Sequence, residues 1–217
     1  MCDLHTHTFL SDGDLSPAEL FVRAEHAGLA GIAVTDHVEW ATVDRTIPAL
    51  AAACEAECSG GQLLALPGAE LTHVRPAQIG RLAERCRQLG AKIIIVHGQT
   101  IVEPVPAGTN RAAIEAGVDV LAHPGLITEE EVGLAQRAGV RLELSGRQGH
   151  SLTNGHVARL ASAAGAELVF GSDAHAPEDL RSPDLALAIL RGAGLPEAAA
   201  RKVLENGWRL LESRSAR

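Results

Sequence analysis

This chain of 217 residues is poor in cysteine, lysine and aromatic residues, and it contains no long apolar run. Its four cysteines, Cys2, Cys54, Cys58 and Cys86, are scattered, and a chain of this length buries enough core not to need a disulfide framework. Cys54 and Cys58 lie i, i+4 on a predicted helix, but no second Cys or His pair accompanies them. They therefore read as small buried hydrophobes rather than metal ligands. Apolar stretches fall short of the roughly 20 residues of a membrane span, and the chain enters its first strand without a charged and apolar leader. The expectation is a cytoplasmic protein with no membrane partner. Only Lys92 and Lys202 among the 19 basic residues are lysines, the arginines are dispersed, and the formal net charge is −8. Without a basic stripe no long nucleic acid is expected as partner. A small anionic substrate is still compatible, because bound cations would dominate the local field.

Linkers, low-complexity segments and composition breaks are also missing, so residues 1–217 read as one domain, of a size slightly below the roughly 250 residues of an eight-stranded barrel. Oligomeric state is not legible. What is present is a regular alternation of strand and helix signals. Strands are predicted at residues 2–5, 31–35, 63–66, 92–96, 118–122, 140–144 and 167–170. Helices are predicted from the capping box Ser16 to Glu19, over 46–58, 76–89 with a stop at Gly90, 110–116, from the capping box Thr128 to Glu131, after Asn154, from Ser182-Pro183, and over 196–213. Seven strands with intervening helices predict a distorted parallel (β/α)7 barrel resembling a TIM barrel. A doubly wound sheet would alternate in the same way, but it gathers its ligands at one switch point.

Metal-ligand residue types stand at the ends of six of the seven predicted strands. They comprise six of the ten histidines and three carboxylates, in His5-Thr6-His7, Asp12-Gly13, Thr35-Asp36-His37, Glu70, His97-Gly98, His123-Pro124 and Asp173-Ala174-His175. An i, i+2 pair such as His5 and His7 projects to one face of a strand and can share an ion. One such pair is weak, but ligand types after nearly every strand converge on one barrel rim. Asp3 and Asp36 read as partners that orient imidazoles. His26 and His156 read as structural, and His73 as either pocket or surface. Trp40, one of five aromatics, walls a pocket or packs a helix.

The ordered motif set resembles that of the PHP superfamily, the polymerase and histidinol phosphatase domains, over essentially the whole chain. It is most similar to the small stand-alone histidinol-phosphatase-like members, because it lacks the insertion between the Glu and later His motifs found in nuclease-type members. The resemblance implies a seven-stranded barrel with up to three divalent ions. It implies one ion on His5, His7, Glu70 and Asp173, a second on Asp12, His37 and His175, and a third on Glu70, His97 and His123, with Glu70 bridging. Some trinuclear members carry a histidine where this chain has Asp12. Glu70, Asp173 and His175 are the expected catalytic residues.

Clustered His and carboxylate ligands suit Zn, Mn, Fe or Co better than Mg. Two or three such ions lower the pKa of a shared water to give hydroxide and neutralise a phosphate ester and its leaving group. The expected activity is hydrolysis of a small phosphomonoester such as histidinol phosphate. The loop after the sixth strand supplies no ligand, so Arg147 is predicted to grip the phosphate and His150 to bind it or protonate the leaving oxygen, with Arg111 as a further candidate. Three readings compete. A nuclease on short oligonucleotides shares the chemistry. An amidohydrolase would need a strand-end lysine, whereas Lys92 begins a strand and Lys202 lies in the tail helix. A non-catalytic metal-binding module is opposed by the full donor set.

Overall fold

A computed structural model describes residues 1–58 and 61–216. In chain order the elements are β1 (Cys2–Thr6), α1 (Pro17–His26), β2 (Gly31–Val34), β3 (His37–Val38), α2 (Val43–Cys58), β4 (Leu64–Leu71), α3 (Pro76–Gln88) and β5 (Ile93–His97). There follow α4 (Thr109–Glu115), β6 (Val120–Ala122), α5 (Glu129–Ala138), β7 (Arg141–Ser145), α6 (Asn154–Ala164), β8 (Leu168–Gly171), α7 (Pro183–Gly192) and α8 (Glu197–Ser215). All strand pairs are parallel, in the order β1-β2-β4-β5-β6-β7-β8. The two-residue β3 also pairs with β4, beyond the stretch that β2 covers, so β2 and β3 are two pieces of one stave broken at Thr35-Asp36. The result is the expected parallel barrel of seven staves, nearly closed.

Closure occurs at the C-terminal rim. There Asp173 N donates to His5 O (2.8 Å) and His7 N donates to Ala174 O (2.9 Å), around an isolated bridge between Thr6 and Ala174. The seam between β1 and β8 is thus stitched where two of the histidine motifs lie, which sets them side by side. At the opposite end α8 plugs the barrel. Its Leu210 and Leu211 join Cys2, Leu4, Ala33, Ile93, Ile95, Val120 and Val169 in the inner apolar cluster, and a Cβ on Gly31 would come within 2.4 Å of Leu211 Cδ2. Outward-facing Ile94, Val96, Leu142, Leu144 and Phe170 join a second cluster shared with the helices, as strands buried on both faces require.

Two caps match their sequence signals and one matches by half. Thr128 and Glu131 form a complete capping box, and Ser182 accepts from Leu185 N. Ser16 accepts from Glu19 N, but the Glu19 carboxylate turns to Arg23 instead of closing its box. The third predicted strand stops at Leu66, before Pro67-Gly68, yet β4 runs on to Leu71. Pro67 still offers its carbonyl to Lys92 N (2.8 Å), and a Cβ on Gly68 would lie 2.7 Å from Thr35 Cγ2 and 2.9 Å from Ile93 O. Glycine lets β4 pass between its neighbours, and Glu70 consequently sits within a strand rather than after one. Helix α2 begins three residues earlier than predicted and carries Pro48 inside it. Cys54 is buried as expected, whereas Cys58 is exposed, its thiol donating to Ala65 O. No described helix is long and apolar enough to cross a membrane.

Candidate metal centre

All nine predicted ligands meet at the C-terminal rim, in four overlapping groups whose ligand atoms lie within 4.8 Å of one another. Register explains the convergence. β1 changes its pairing with β2 between Asp3 and Thr6, and His5 inside that irregularity and His7 just past it both approach Glu70. β4 and β5 are paired Glu70 to Ile95, which sets His97 one pleat further up. His123 and Asp173 hold positive φ angles of 24° and 56°, a costly conformation for residues other than glycine. Strain of this kind tends to collect where side chains must be aimed.

Glu70 is the hub. Its Oε2 is 3.3 Å from His5 Nε2 and 3.6 Å from His7 Nε2, while its Oε1 is 3.3 Å from His97 Nδ1 and 3.5 Å from His123 Nε2. Asp173 Oδ1 completes the first group, 3.3 Å from His7 Nε2 and 3.8 Å from His5 Nε2. Asp12 Oδ1, His37 Nε2 and His175 Nε2 form a second trio with edges of 3.4, 3.3 and 3.4 Å. Donors around a tetrahedral ion at roughly 2.0–2.2 Å lie roughly 3.3–3.6 Å apart, so these spacings suit a shared cation. Hydrogen bonding agrees, because His5 Nε2, His7 Nε2, Glu70 Oε1 and His97 Nδ1 are buried without a hydrogen-bond partner, and Glu70 Oε2 has His37 Nδ1 beside it at 2.7 Å. Orphaned polar atoms aimed at one another are costly unless something bonds them together.

Charge is distributed accordingly. Burial works to raise Glu70, but His5 and His37 hold its carboxyl well below the usual range. Burial pushes His7 down to about 3, with His37 adding to the effect. His5 differs: burial opposes its charge, yet Glu143, Glu70 and Asp173 outweigh that and raise its pKa well above the ordinary value. A cation bound by His5 therefore competes with a proton.

Sequence reading missed Glu143. It is buried in β7, its Oε2 accepts from His5 Nδ1 at 2.7 Å and its Oε1 accepts from His123 N at 3.3 Å. That contact holds Nδ1 as the donating nitrogen and leaves Nε2 to face Glu70. Gly171 makes room for it, since a Cβ there would lie 2.5 Å from Glu143 Oε2 and 2.6 Å from His5 Cβ. The signal was legible: a carboxylate between Leu142 and Leu144 in a strand buried on both faces has to meet a partner. His37 Nδ1 is steadied at 2.7 Å by Thr72 Oγ1, also unforeseen. Asp3 and Asp36, expected to orient imidazoles, bind main chain and hydroxyls instead. Asp3 accepts from His5 N and Ser172 N, and Asp36 from Thr8 N, Thr8 Oγ1 and Ser11 Oγ. They fix the backbone that presents the ligands, and short carboxylates reach nearby amides and hydroxyls before they reach rings.

A cavity of about 410 Å³ opens above the cluster, lined by Asp12, His37, His97, Arg147, His150, Asp173 and His175 among others. Arg147 Nη1 donates to Asp173 O (3.0 Å) and lies 2.8 Å from His175 Nδ1. His150 is buried, bonded through Nδ1 to Thr100 Oγ1 (2.7 Å) and stacked on His123, and burial with His123 alongside pushes it down to about 3. Glu103, which the sequence did not single out, reaches in from the loop after β5 to 3.2 Å from His97 Nε2. Arg111 does not reach the cavity. It lies on the outer side of α4, paired with Glu130 of α5 at 2.7 Å, because α4 turns Asn110, Ala113 and Ile114 inward. His73 lines the cavity at its exposed edge, 5.5 Å from the His97 ring. Trp40 is 44% exposed and does not line the cavity; it packs on helix α3, with Arg81 over its ring, the second of its two expected places. His26 is exposed on α1, and His156 binds Ile127 O at 2.7 Å.

Comparison with known proteins follows the same lines. The model of the PHP domain matches residues 3–104. A protein of Methanocaldococcus jannaschii, MJ1295, itself uncharacterized, is 40% identical over 206 residues, 94% of this chain and 93% of its own length. A probable phosphatase of Shewanella amazonensis is 36% identical over 43% of this chain and 45% of its own. Ribonuclease P protein component 3 of Methanosarcina barkeri is 28% identical over 87% and 79%. Among solved structures, a chain of archaeal ribonuclease P with mature tRNA superposes with a TM-score of 0.75, at 18% identity over 100% of this chain and 92% of that one. A structure from the work on YwqE of Bacillus subtilis and CpsB of Streptococcus pneumoniae, described as metal-dependent tyrosine phosphatases, gives 0.59 at 19% identity over 95% of each chain. With these matches and the barrel, this chain belongs to the PHP family.

Proposed function

We propose that residues 1–217 form one PHP-type phosphoesterase domain that hydrolyses a small phosphomonoester, as a histidinol phosphatase does, with two or three divalent transition-metal ions. The observation that carries the reading is Glu70, one buried carboxylate whose two oxygens face two different histidine pairs, beside a separate trio on Asp12. His5, His7, Glu70 and Asp173 would hold one ion, Asp12, His37 and His175 a second, and Glu70, His97 and His123 a third. Held there, Zn, Mn, Fe or Co supplies Lewis acidity and lowers the pKa of water toward neutrality. The chain's own part is to aim the donors, to keep Glu70 and Asp173 ionised, and to offer Arg147 to the phosphate. His150, neutral and buried beside Asp173, would donate to an oxygen of the ester. The probable phosphatase of S. amazonensis and the metal-dependent phosphatase neighbours support the class.

Reconstitution with each metal, followed by assay on a panel of phosphomonoesters that includes histidinol phosphate, tests the reading; absence of turnover on every ester overturns it. Elemental analysis of protein purified without chelator is expected to find two or three ions per chain, and fewer than two after reconstitution would remove the trinuclear assignment. Because the cation displaces a proton from His5, whose pKa is raised, affinity is expected to fall as pH falls. Glu143→Gln is expected to weaken the tightest site by roughly tenfold to a hundredfold in a competition titration with a chelating dye. Unchanged affinity would mean that the contact with His5 does nothing for the metal.

A second reading, action on short oligonucleotides, is favoured by the ribonuclease P relatives. The net charge of −8 and the dispersed arginines weigh against a long polyanion. Turnover of single strands faster than any monoester would reverse the ranking.

A further inference from the structure

Eight large apolar side chains stand exposed among the described residues, and their distribution is uneven. Six of them, Phe9, Trp40, Ile101, Val102, Leu126 and Leu152, lie on loops that follow strands, on the face that carries the metal cluster; Val22 and Leu185 lie on α1 and α7. Leu126 and Leu152 are 65% and 71% exposed. Single exposed apolar residues are ordinary, but a group collected beside a polar cavity marks a surface that binds something.

Four of the six come from adjacent loops that touch. A Cβ on Gly149 would stand 3.4 Å from Val102 Cγ2, and one on Gly125 would stand 3.2 Å from Thr100 Cα, next to Ile101. The same loops enter the cavity. Thr100 bonds His150, two residues before Leu152, and Glu103, next to Val102, reaches 3.2 Å from His97 Nε2 and 3.5 Å from His150 Nε2. The apolar lip therefore borders the proposed phosphate site, which its loops enter through Glu103 and His150. Charge narrows what can sit on it. Arg147 is the one Lys or Arg among the described residues lining the cavity, and Glu39 and Glu103, which hold none of the proposed ions, line it too. One guanidinium matches one phosphate, and a second anion on the substrate would meet carboxylates.

Resting on the phosphomonoesterase reading, we propose that the ester carries a neutral apolar body, aryl or branched alkyl, seated on the lip of Ile101, Val102, Leu126 and Leu152, and carries no second anion. Phosphonates, which cannot be hydrolysed, separate this binding from leaving-group chemistry. The metal-reconstituted full chain is titrated by calorimetry with methylphosphonate, benzylphosphonate and 4-(phosphonomethyl)benzoate. Benzylphosphonate is expected to bind at least roughly tenfold tighter than methylphosphonate, the benefit of burying most of a phenyl ring. The added carboxylate should undo much of that gain. In the double variant Val102→Ser, Leu152→Ser the benzyl-to-methyl ratio should collapse to within about threefold, while Val22→Ser on α1 should keep it. Equal affinity for the methyl and benzyl compounds, or a preference that survives the double variant, overturns the proposal and leaves the phosphomonoesterase reading standing. If no phosphonate binds and no ester is turned over, that reading falls and takes the proposal with it.

Discussion

Glu70→Gln is expected to lower kcat/KM by at least roughly a thousandfold, about 4 kcal/mol of transition-state stabilisation, and to remove at least one bound ion while the barrel stays folded. Glutamine keeps the size and one oxygen, so the strand and its neighbours need not move. What it loses is the second acceptor. With an amide nitrogen in place of Oε1 or Oε2, the side chain serves His5 and His7 or serves His97 and His123, not both pairs. The amide is also neutral, and the surrounding imidazoles lose the charge that balances a cation. His73→Ala, at the exposed edge of the same cavity, should cost far less, within about tenfold, because the His73 ring meets the cluster only alongside His97, 5.5 Å between centroids, among the described residues. Elemental analysis and steady-state kinetics on both variants check the pair of expectations. Comparable losses at the two positions would mean that Glu70 is not the shared ligand.

The site was legible in the sequence to the extent that strand ends are legible. A run such as Ile93-Ile94-Ile95-Val96 announces a buried strand, and the ligand type that closes it, His97, inherits a position on the rim. Where a ligand lay inside a strand the logic weakened. Pro67-Gly68 imitates a turn, and only the close passage of Thr35 and Ile93 beside Gly68 shows why the strand continues through it to Glu70. Partners were harder still, because second contacts depend on which side chains are near in space. Glu143 meets His5 across 138 positions of sequence, and Asp3 meets Ser172 across 169. Arg111 failed for the opposite reason: the helix that carries it is predicted by the sequence, but the turn of α4 that directs it to Glu130 is not.

Arg147→Ala is expected to lower kcat/KM by roughly tenfold to a thousandfold, about 1.4 to 4 kcal/mol, through loss of a guanidinium at the phosphate. The structure adds a constraint to that expectation. Arg147 is anchored through Nη1 to Asp173 O and close to His175 Nδ1, so its side chain is positioned rather than free, and a planar group with five N–H donors keeps others for the ester. The same anchoring admits a different role, that of bracing the turn that carries Asp173 and His175. Metal content separates the two. If Arg147 holds substrate, the alanine variant retains its ions, because the atoms that Asp173 and His175 turn toward the cluster, Oδ1 and Nε2, are not those nearest the guanidinium. If Arg147 is a brace, ions are lost in proportion to activity. Arg147→Lys keeps the charge without the fork and should recover only part of the loss. A variant that turns over at the wild-type rate with unchanged KM would remove Arg147 from the phosphate site and leave His150, buried at the same wall of the cavity, as the group to test next.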